Sequence, residues 1–128
     1  MSIRSLNDIS ATITVGDDTS GAFPVTVQLT GPTGKDLTSA RVVQWYLAKD
    51  ETGDTLCADG TDTSEIAILN DGTIISESTT DVAGWVKSEA DGDIGFTITV
   101  ENGKKAYLVL VMPDGELVIS DAMAYNAE

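Results

Sequence analysis

Residues 106–120 read AYLVLVMPDGELVIS, and this stretch decides how the chain folds. Its apolar residues run from Tyr107 to Met112 without a polar break, pass through Pro-Asp-Gly-Glu, and continue at Leu117. A strand with one face in water alternates apolar and polar residues, whereas this strand is apolar on both faces. The second face therefore needs a cover, and finding that cover is the best route from this sequence to a function.

Short segments of alternating polarity fill the rest of the chain, for example ATITV at 11–15 and PVTVQL at 24–29. Turns that combine Gly with Asp, Asn or Pro separate them, such as ADGD, ENGK and MPDGE. No long segment keeps a helical period. This pattern predicts an all-β fold, an immunoglobulin-like antiparallel β-sandwich of about eight or nine short strands. We expect one domain at 11–124, an N-terminal arm at 1–10 and a C-terminal tail at 125–128.

The first of two hairpins is predicted from Asn102-Gly103, the strongest short signal for a two-residue type I′ turn. This turn would pair Ile98 with Tyr107 and join the strands on either side of it within one sheet. The face that carries Ile98 and Tyr107 would then belong to the core.

The second hairpin is predicted at Asp114-Gly115. A two-residue turn there would place Met112 opposite Leu117, with Leu110 two residues further along the same face. A slip of one residue would exchange the two faces, and either register leaves apolar residues away from the core. In the predicted register that outer face presents the side chains of Leu108, Leu110, Met112, Leu117 and Ile119.

An apolar face of this size is expected to be covered, because soluble proteins rarely leave large apolar patches in water. Two kinds of cover are open. The chain itself could fold across the face, using either the N-terminal segment with Ile3, Leu6 and Ile9 or the long middle connection. Alternatively another chain packs there, in a homo-oligomer or a larger assembly. Arg4 is a further contact candidate, since it could reach a carboxylate on a neighbouring protein.

The charge balance excludes several classes of partner. The chain has 128 residues, with 21 Asp and Glu against 7 Lys and Arg, a net charge of −14. We expect no nucleic-acid partner, because such binding needs basic residues to neutralise phosphates, and no anionic membrane surface. No apolar run approaches the roughly 20 residues that span a bilayer, and MSIRSLNDIS lacks the features of a secretory signal. We therefore expect a chain made and folded in a cytoplasm.

The residue types argue against catalysis. The chain contains no histidine, which removes the commonest general base and most zinc sites. Its carboxylates fall in turns and at strand ends, so we expect no catalytic residues and no cofactor. EADGDIG at 89–95 and ADGTDTSE at 58–65 are acidic, but neither matches the EF-hand pattern, and no metal site is predicted. Cys57 is the only cysteine and has acidic neighbours, so we expect an inert thiol.

The large aromatic residues have two interpretations. Trp45 in VVQWYL fits the buried tryptophan of a sandwich core. Trp85 in VAGWVKSE is open to either a core or a surface position. An exposed platform of Trp85 and Tyr46 would indicate a carbohydrate-binding module, whereas an aliphatic face would indicate protein docking.

The layout VTVQLTGPTGKDLTSARVVQWYLAKD, at 25–50, resembles a bacterial immunoglobulin-like domain. Residues 22–124 are also similar to a family of small virion proteins of tailed bacteriophages. That family shows, in this order, a YL strand, a DG turn, SEADGDI, YLVLVxPDG and LVxSxA. Here these motifs are Tyr46-Leu47, Asp71-Gly72, residues 88–94, residues 107–115 and residues 117–122.

The resemblance implies a non-enzymatic virion protein, one that decorates the capsid and binds a capsid or other virion protein. Such a protein needs a rigid sandwich, an acidic exterior and an apolar patch for its partner. Rival interpretations are a tail-associated domain, a surface adhesin or carbohydrate-binding module, and an enzyme with converging carboxylates.

Overall fold

The computed structural model describes residues 9–126, which form ten short strands and no helix. None of these residues therefore forms a helix that could cross a membrane. In chain order the strands are β1 (Ser10–Val15), β2 (Ala22–Thr30), β3 (Val42–Ala48), β4 (Thr63–Ile68), β5 (Thr73–Thr79), β6 (Ala83–Lys87), β7 (Asp93–Val100), β8 (Lys104–Val111), β9 (Leu117–Ile119) and β10 (Met123–Tyr125).

The strands pair into two antiparallel sheets. The first sheet has the order β1-β2-β7-β4, and the second has the order β10-β8-β3-β6-β5, with β9 also paired to β8. The pairing of β2 with β7 in one sheet and of β3 with β8 in the other resembles the central strands of an immunoglobulin-like sandwich. The predicted all-β sandwich is confirmed, and the described residues add one or two short strands to the expected number.

The core lies between the two sheets and is filled by alternate residues of each strand. Trp45 of β3 is fully buried there, as predicted, and packs against Phe96 of β7. Their ring centroids are 6.3 Å apart, with the ring planes tilted by 57°. This aromatic pair joins the two sheets across the interior.

The hairpin predicted at Asn102-Gly103 is wrong. Strand β7 pairs with β2 on one edge and with β4 on the other, so it has no free edge for β8. Gly103 has a φ of 79°, whereas Asn102 is not among the residues with positive φ, and a type I′ turn needs positive φ at both positions. The turn instead carries the chain from the first sheet to the second.

The β8–β9 hairpin forms, but its register differs from the predicted one by one residue. Val111 lies opposite Leu117, and Leu110 lies opposite Val118. The backbone N–H of Met112 donates to the carbonyl of Glu116 over 2.8 Å, which leaves a three-residue loop. Such a loop typically has Gly in the left-handed region, and Gly115 supplies a φ of 90°. The slip turns β8 over relative to β9, so that Val109 and Val111, rather than Leu110 and Met112, share the outer face with Leu117 and Ile119.

Candidate functional site

The outer faces of the two sheets differ in character. The first sheet presents a row of small polar side chains to solvent, chiefly Thr12, Thr14, Thr26, Thr97 and Thr99. The second sheet presents apolar and aromatic residues on its outer face, including Val42, Trp85, Val111 and Leu117. Among residues 9–126, four of the six exposed large hydrophobic residues belong to the second sheet's strands. The apolar surface that needs a cover is therefore the outer face of the second sheet.

A loop of the same chain covers one half of that outer face. Residues 49–56, which follow β3, fold back so that Gly53 lies over the sheet. A β-carbon at Gly53 would stand 3.0 Å from Tyr46 Oη, 3.5 Å from Val109 Cγ2 and 3.6 Å from Ile119 Cδ1. The Tyr46 hydroxyl donates a hydrogen bond of 2.7 Å to the Gly53 carbonyl. Val109 is fully buried as a result, although its side chain points away from the core.

The other half of the outer face is open and forms a groove of about 370 Å³. We call it the Trp85 groove and define it by Val42, Gln44, Trp85, Val111 and Pro113, which line it together with Gly115 and the edges of Val43 and Met112. The strand register brings these residues together, because Gln44 of β3 lies opposite Trp85 of β6 on one side and opposite Val111 of β8 on the other.

Exposed apolar surface is concentrated at this groove. Trp85 is 44% exposed and Val42 is 47% exposed. Leu117 lies beside Val111 in the next strand, and Ile75 occupies the bulge of β5 next to the Ser76–Trp85 pair. A row of apolar residues, interrupted at β3 by Gln44, therefore crosses the sheet from β5 to β9, and such a row is typical of a protein contact surface.

The predicted interface must be corrected at three positions. Leu108, Leu110 and Met112 lie in the core, because the register slip turns them inward. Leu117 and Ile119 do lie on the outer face, where Leu117 is 43% exposed and Ile119 is partly covered by the loop at Gly53. Three further candidates are outside the described residues: Ile3, Arg4 and Leu6.

The acidic loops do not converge on a cation site. Asp71, Glu89, Asp91 and Asp93 line an open depression at the end of the sandwich that carries the β6–β7 turn. Partial burial, followed by the charge of Asp91, raises the pKa of Asp93 above its ordinary value. Within residues 9–126 no three acidic or cysteine side chains are placed to hold a metal ion.

In the other acidic segment, at 58–65, Asp62 has a structural role. Asp62 is buried, and its carboxylate accepts a hydrogen bond of 2.8 Å from the backbone N–H of Ala58. Its carboxylate also lies 3.9 Å from Lys49 Nζ. Cys57 is buried close by, and this burial, with a smaller contribution from Asp62, raises the pKa of its thiol to about 12. Such a thiol is a poor nucleophile at neutral pH.

The sequence interpretation missed most of the groove. Val42, Gln44 and Val111 were not singled out, because no local pattern brings them together with Trp85. One signal was present: Trp85 shares its strand face with Lys87, and a charged residue at that spacing indicates an outward-facing tryptophan.

Comparisons with known proteins leave this site without a counterpart. No protein-family profile, curated protein or solved structure matches the chain.

Proposed function

We propose that this chain is a non-enzymatic structural protein of a tailed bacteriophage, a decoration protein that binds the assembled capsid through the Trp85 groove. The observation that supports a docking role is an open apolar groove with a half-exposed tryptophan on a chain of net charge −14. Proteins leave such a surface open mainly where a partner covers it. The assignment to a phage particle rests on the resemblance of residues 22–124 to tailed-phage virion proteins.

The mechanism is mechanical. The sandwich holds Trp85 and Val111 on either side of Gln44 in a rigid sheet, so little conformational freedom is lost when a partner packs against them. Fully burying side chains of this kind contributes roughly 1.5–3 kcal/mol each, and tryptophan is a frequent anchor residue of protein interfaces. Many copies on one shell make modest individual contacts effective, because each bound copy links neighbouring capsid subunits.

The proposal is tested on particles of the phage whose genome encodes the chain. Mass spectrometry of purified particles should detect the chain, and electron cryomicroscopy should place its density on the outside of the head. Density on the tail would contradict the capsid assignment and support a tail-associated domain. Absence of the chain from purified particles would contradict a virion role altogether.

A second candidate, carbohydrate binding, is favoured by one observation. The Trp85 ring is exposed beside the Gln44 amide, a combination that can stack on and hydrogen-bond to a sugar. However, the platform with Tyr46 is not free, because the Tyr46 hydroxyl bonds to Gly53 under the covering loop. Titration with oligosaccharides, followed by Trp85 fluorescence, separates the two functions: a saturable shift supports the sugar, and no shift supports protein docking.

A further inference from the structure

The strands around the Trp85 groove are free of negative charge. The chain has 21 Asp and Glu residues, yet none of them lies in β3, β6, β8 or β9. Two cations lie at one end of the groove instead. Lys87 is the outward-facing residue opposite Val42, and Arg41 directly precedes Val42 in the chain.

Hydrogen bonds of the backbone fix the positions of these two residues in the sheet. The N–H of Arg41 donates to the Ser88 hydroxyl over 3.0 Å, and the N–H of Ser88 donates to the Arg41 carbonyl over 2.8 Å. These bonds hold the start of β3 against the end of β6. Arg41 and Lys87 are consequently kept at the same end of the groove, next to Val42, and both side chains are exposed.

Neither Arg41 nor Lys87 forms an ion pair with the described part of the chain. Within residues 9–126 the ion pair of Lys49 with Asp62 is the one that forms, and no carboxylate of those residues approaches Arg41 or Lys87 closely enough. The side chain of Gln44, in the floor of the groove, also makes no hydrogen bond to residues of that range. The groove thus has apolar walls and one amide, with two positive charges that are unpaired in that range beside Val42 at one end and the carboxylates of Asp114 and Glu116 in the loop at Gly115.

We propose that the Trp85 groove binds a protein segment that presents a large apolar side chain next to a carboxylate. The apolar side chain would pack between Trp85 and Val111, and the carboxylate would pair with Lys87 or, in two-pronged geometry, with Arg41. This inference rests on the docking role proposed above and adds the chemistry of the partner. The apolar contact supplies most of the affinity, while the charge pair supplies orientation and selectivity.

Two other occupants fit the surface less well. A second copy of this chain would bring another net charge of −14 against the first, which opposes association at long range. A partner strand added to the second sheet would have to pair with β9 or β10 at one edge, each only three residues long, or with β5 at the other edge. Strand β5 is irregular, with register shifts between Ile74 and Ser76 and between Glu77 and Thr79, and bulges of this kind block edge pairing.

The test uses the full chain, immobilised through a terminal affinity tag, and a displayed library of random dodecapeptides. We expect enriched peptides that contain Trp, Phe or Leu beside Asp or Glu. Trp85→Ala should weaken their binding by about tenfold or more, and Lys87→Glu by about threefold to tenfold. Lys35→Glu is the matched control, because it makes the same charge change at an exposed lysine outside the groove and should leave binding unchanged.

A charge-swapped peptide completes the test. Replacing the peptide's Asp or Glu by Lys should weaken binding to the parent chain by about threefold to tenfold and restore it, at least partly, for the Lys87→Glu variant. Enrichment of basic peptides, or equal effects of Lys87→Glu and Lys35→Glu, would overturn the partner chemistry while leaving a docking groove. Peptides that bind Trp85→Ala as well as the parent chain, or no enrichment at all, would overturn the groove as a segment-binding site. The location of the chain on phage particles is measured separately, so failure of the virion role is distinguishable.

Discussion

The Tyr46 hydroxyl donates a hydrogen bond to the Gly53 carbonyl over 2.7 Å and thereby ties the loop at 49–56 to the outer face of the second sheet. This bond explains why β8 is apolar on both faces. One face belongs to the core, and the other is covered at Val109 by a loop of the same chain. The loop does not extend over Trp85, and the part of the outer face that it leaves exposed is the Trp85 groove.

Removing the Tyr46 hydroxyl should weaken the attachment of the loop at 49–56 to the second sheet. Tyr46→Phe is expected to lower the free energy of unfolding by about 0.5–1.5 kcal/mol, the usual net value of one hydrogen bond. Hydrogen exchange of the loop amides should become faster. Tyr107→Phe is the control, because the Tyr107 ring is buried on the same face and no hydrogen bond from its hydroxyl is found within residues 9–126. Equal effects of the two substitutions in urea unfolding would contradict a specific role of the Tyr46 bond.

The two faces of the β8–β9 hairpin should respond differently to a charge. Leu110→Asp places a carboxylate in the core and is expected to cost more than about 4 kcal/mol, enough to unfold the domain. Leu117→Asp lies at an exposed position, and its cost should stay within about 1 kcal/mol. Circular dichroism and urea titration give both values. A folded Leu110→Asp variant would show that the register is the one first predicted from Asp114-Gly115.

The two tryptophans should be distinguishable by fluorescence. Trp45 is fully buried, whereas Trp85 is 44% exposed. The Trp85→Phe variant should therefore emit at shorter wavelength and resist quenching by acrylamide, while Trp45→Phe should leave an emission that acrylamide quenches readily. Trp45→Phe also leaves space beside Phe96 in the core, so it should be the less stable of the two variants. Similar quenching of both variants would contradict an open groove.

The thiol of Cys57 should be unreactive in the folded chain. Burial raises its pKa to about 12, from an ordinary value of 9.0. Between these two values the unfolded chain loses the thiol proton while the folded chain keeps it, so this group makes stability fall as the pH rises through that window. Alkylation by iodoacetamide at pH 9, followed by mass spectrometry, should be much slower in the native state than in urea. Equal rates would mean that Cys57 is not enclosed.

The sequence was sufficient for features that depend on local patterning. Alternation and turn residues indicate the sandwich, and the apolar neighbours of Trp45 indicate its place in the core. Features that depend on distant partners were not predictable in this way. Asn102-Gly103 does not close a hairpin because β2 and β4 already occupy both edges of β7.

The groove illustrates the same limit. At the tip of β8–β9, Pro113 is part of a three-residue loop, which moves the register by one position relative to a two-residue turn. That shift decides whether Leu110 or Val111 faces outward. The order β5-β6-β3-β8 then places Val111 beside Gln44, and Gln44 beside Trp85, although these residues are far apart in the chain.

The most direct experiment on the proposed docking role is a binding isotherm on particles of the proposed phage that lack the chain. Trp85→Asp should weaken binding by about thirtyfold or more, because it places a charge where an apolar anchor would be buried. Thr12→Asp makes a charge of the same sign on the polar outer face of the first sheet and should bind within about twofold of the parent chain. Equal binding of the two variants would contradict docking through the Trp85 groove.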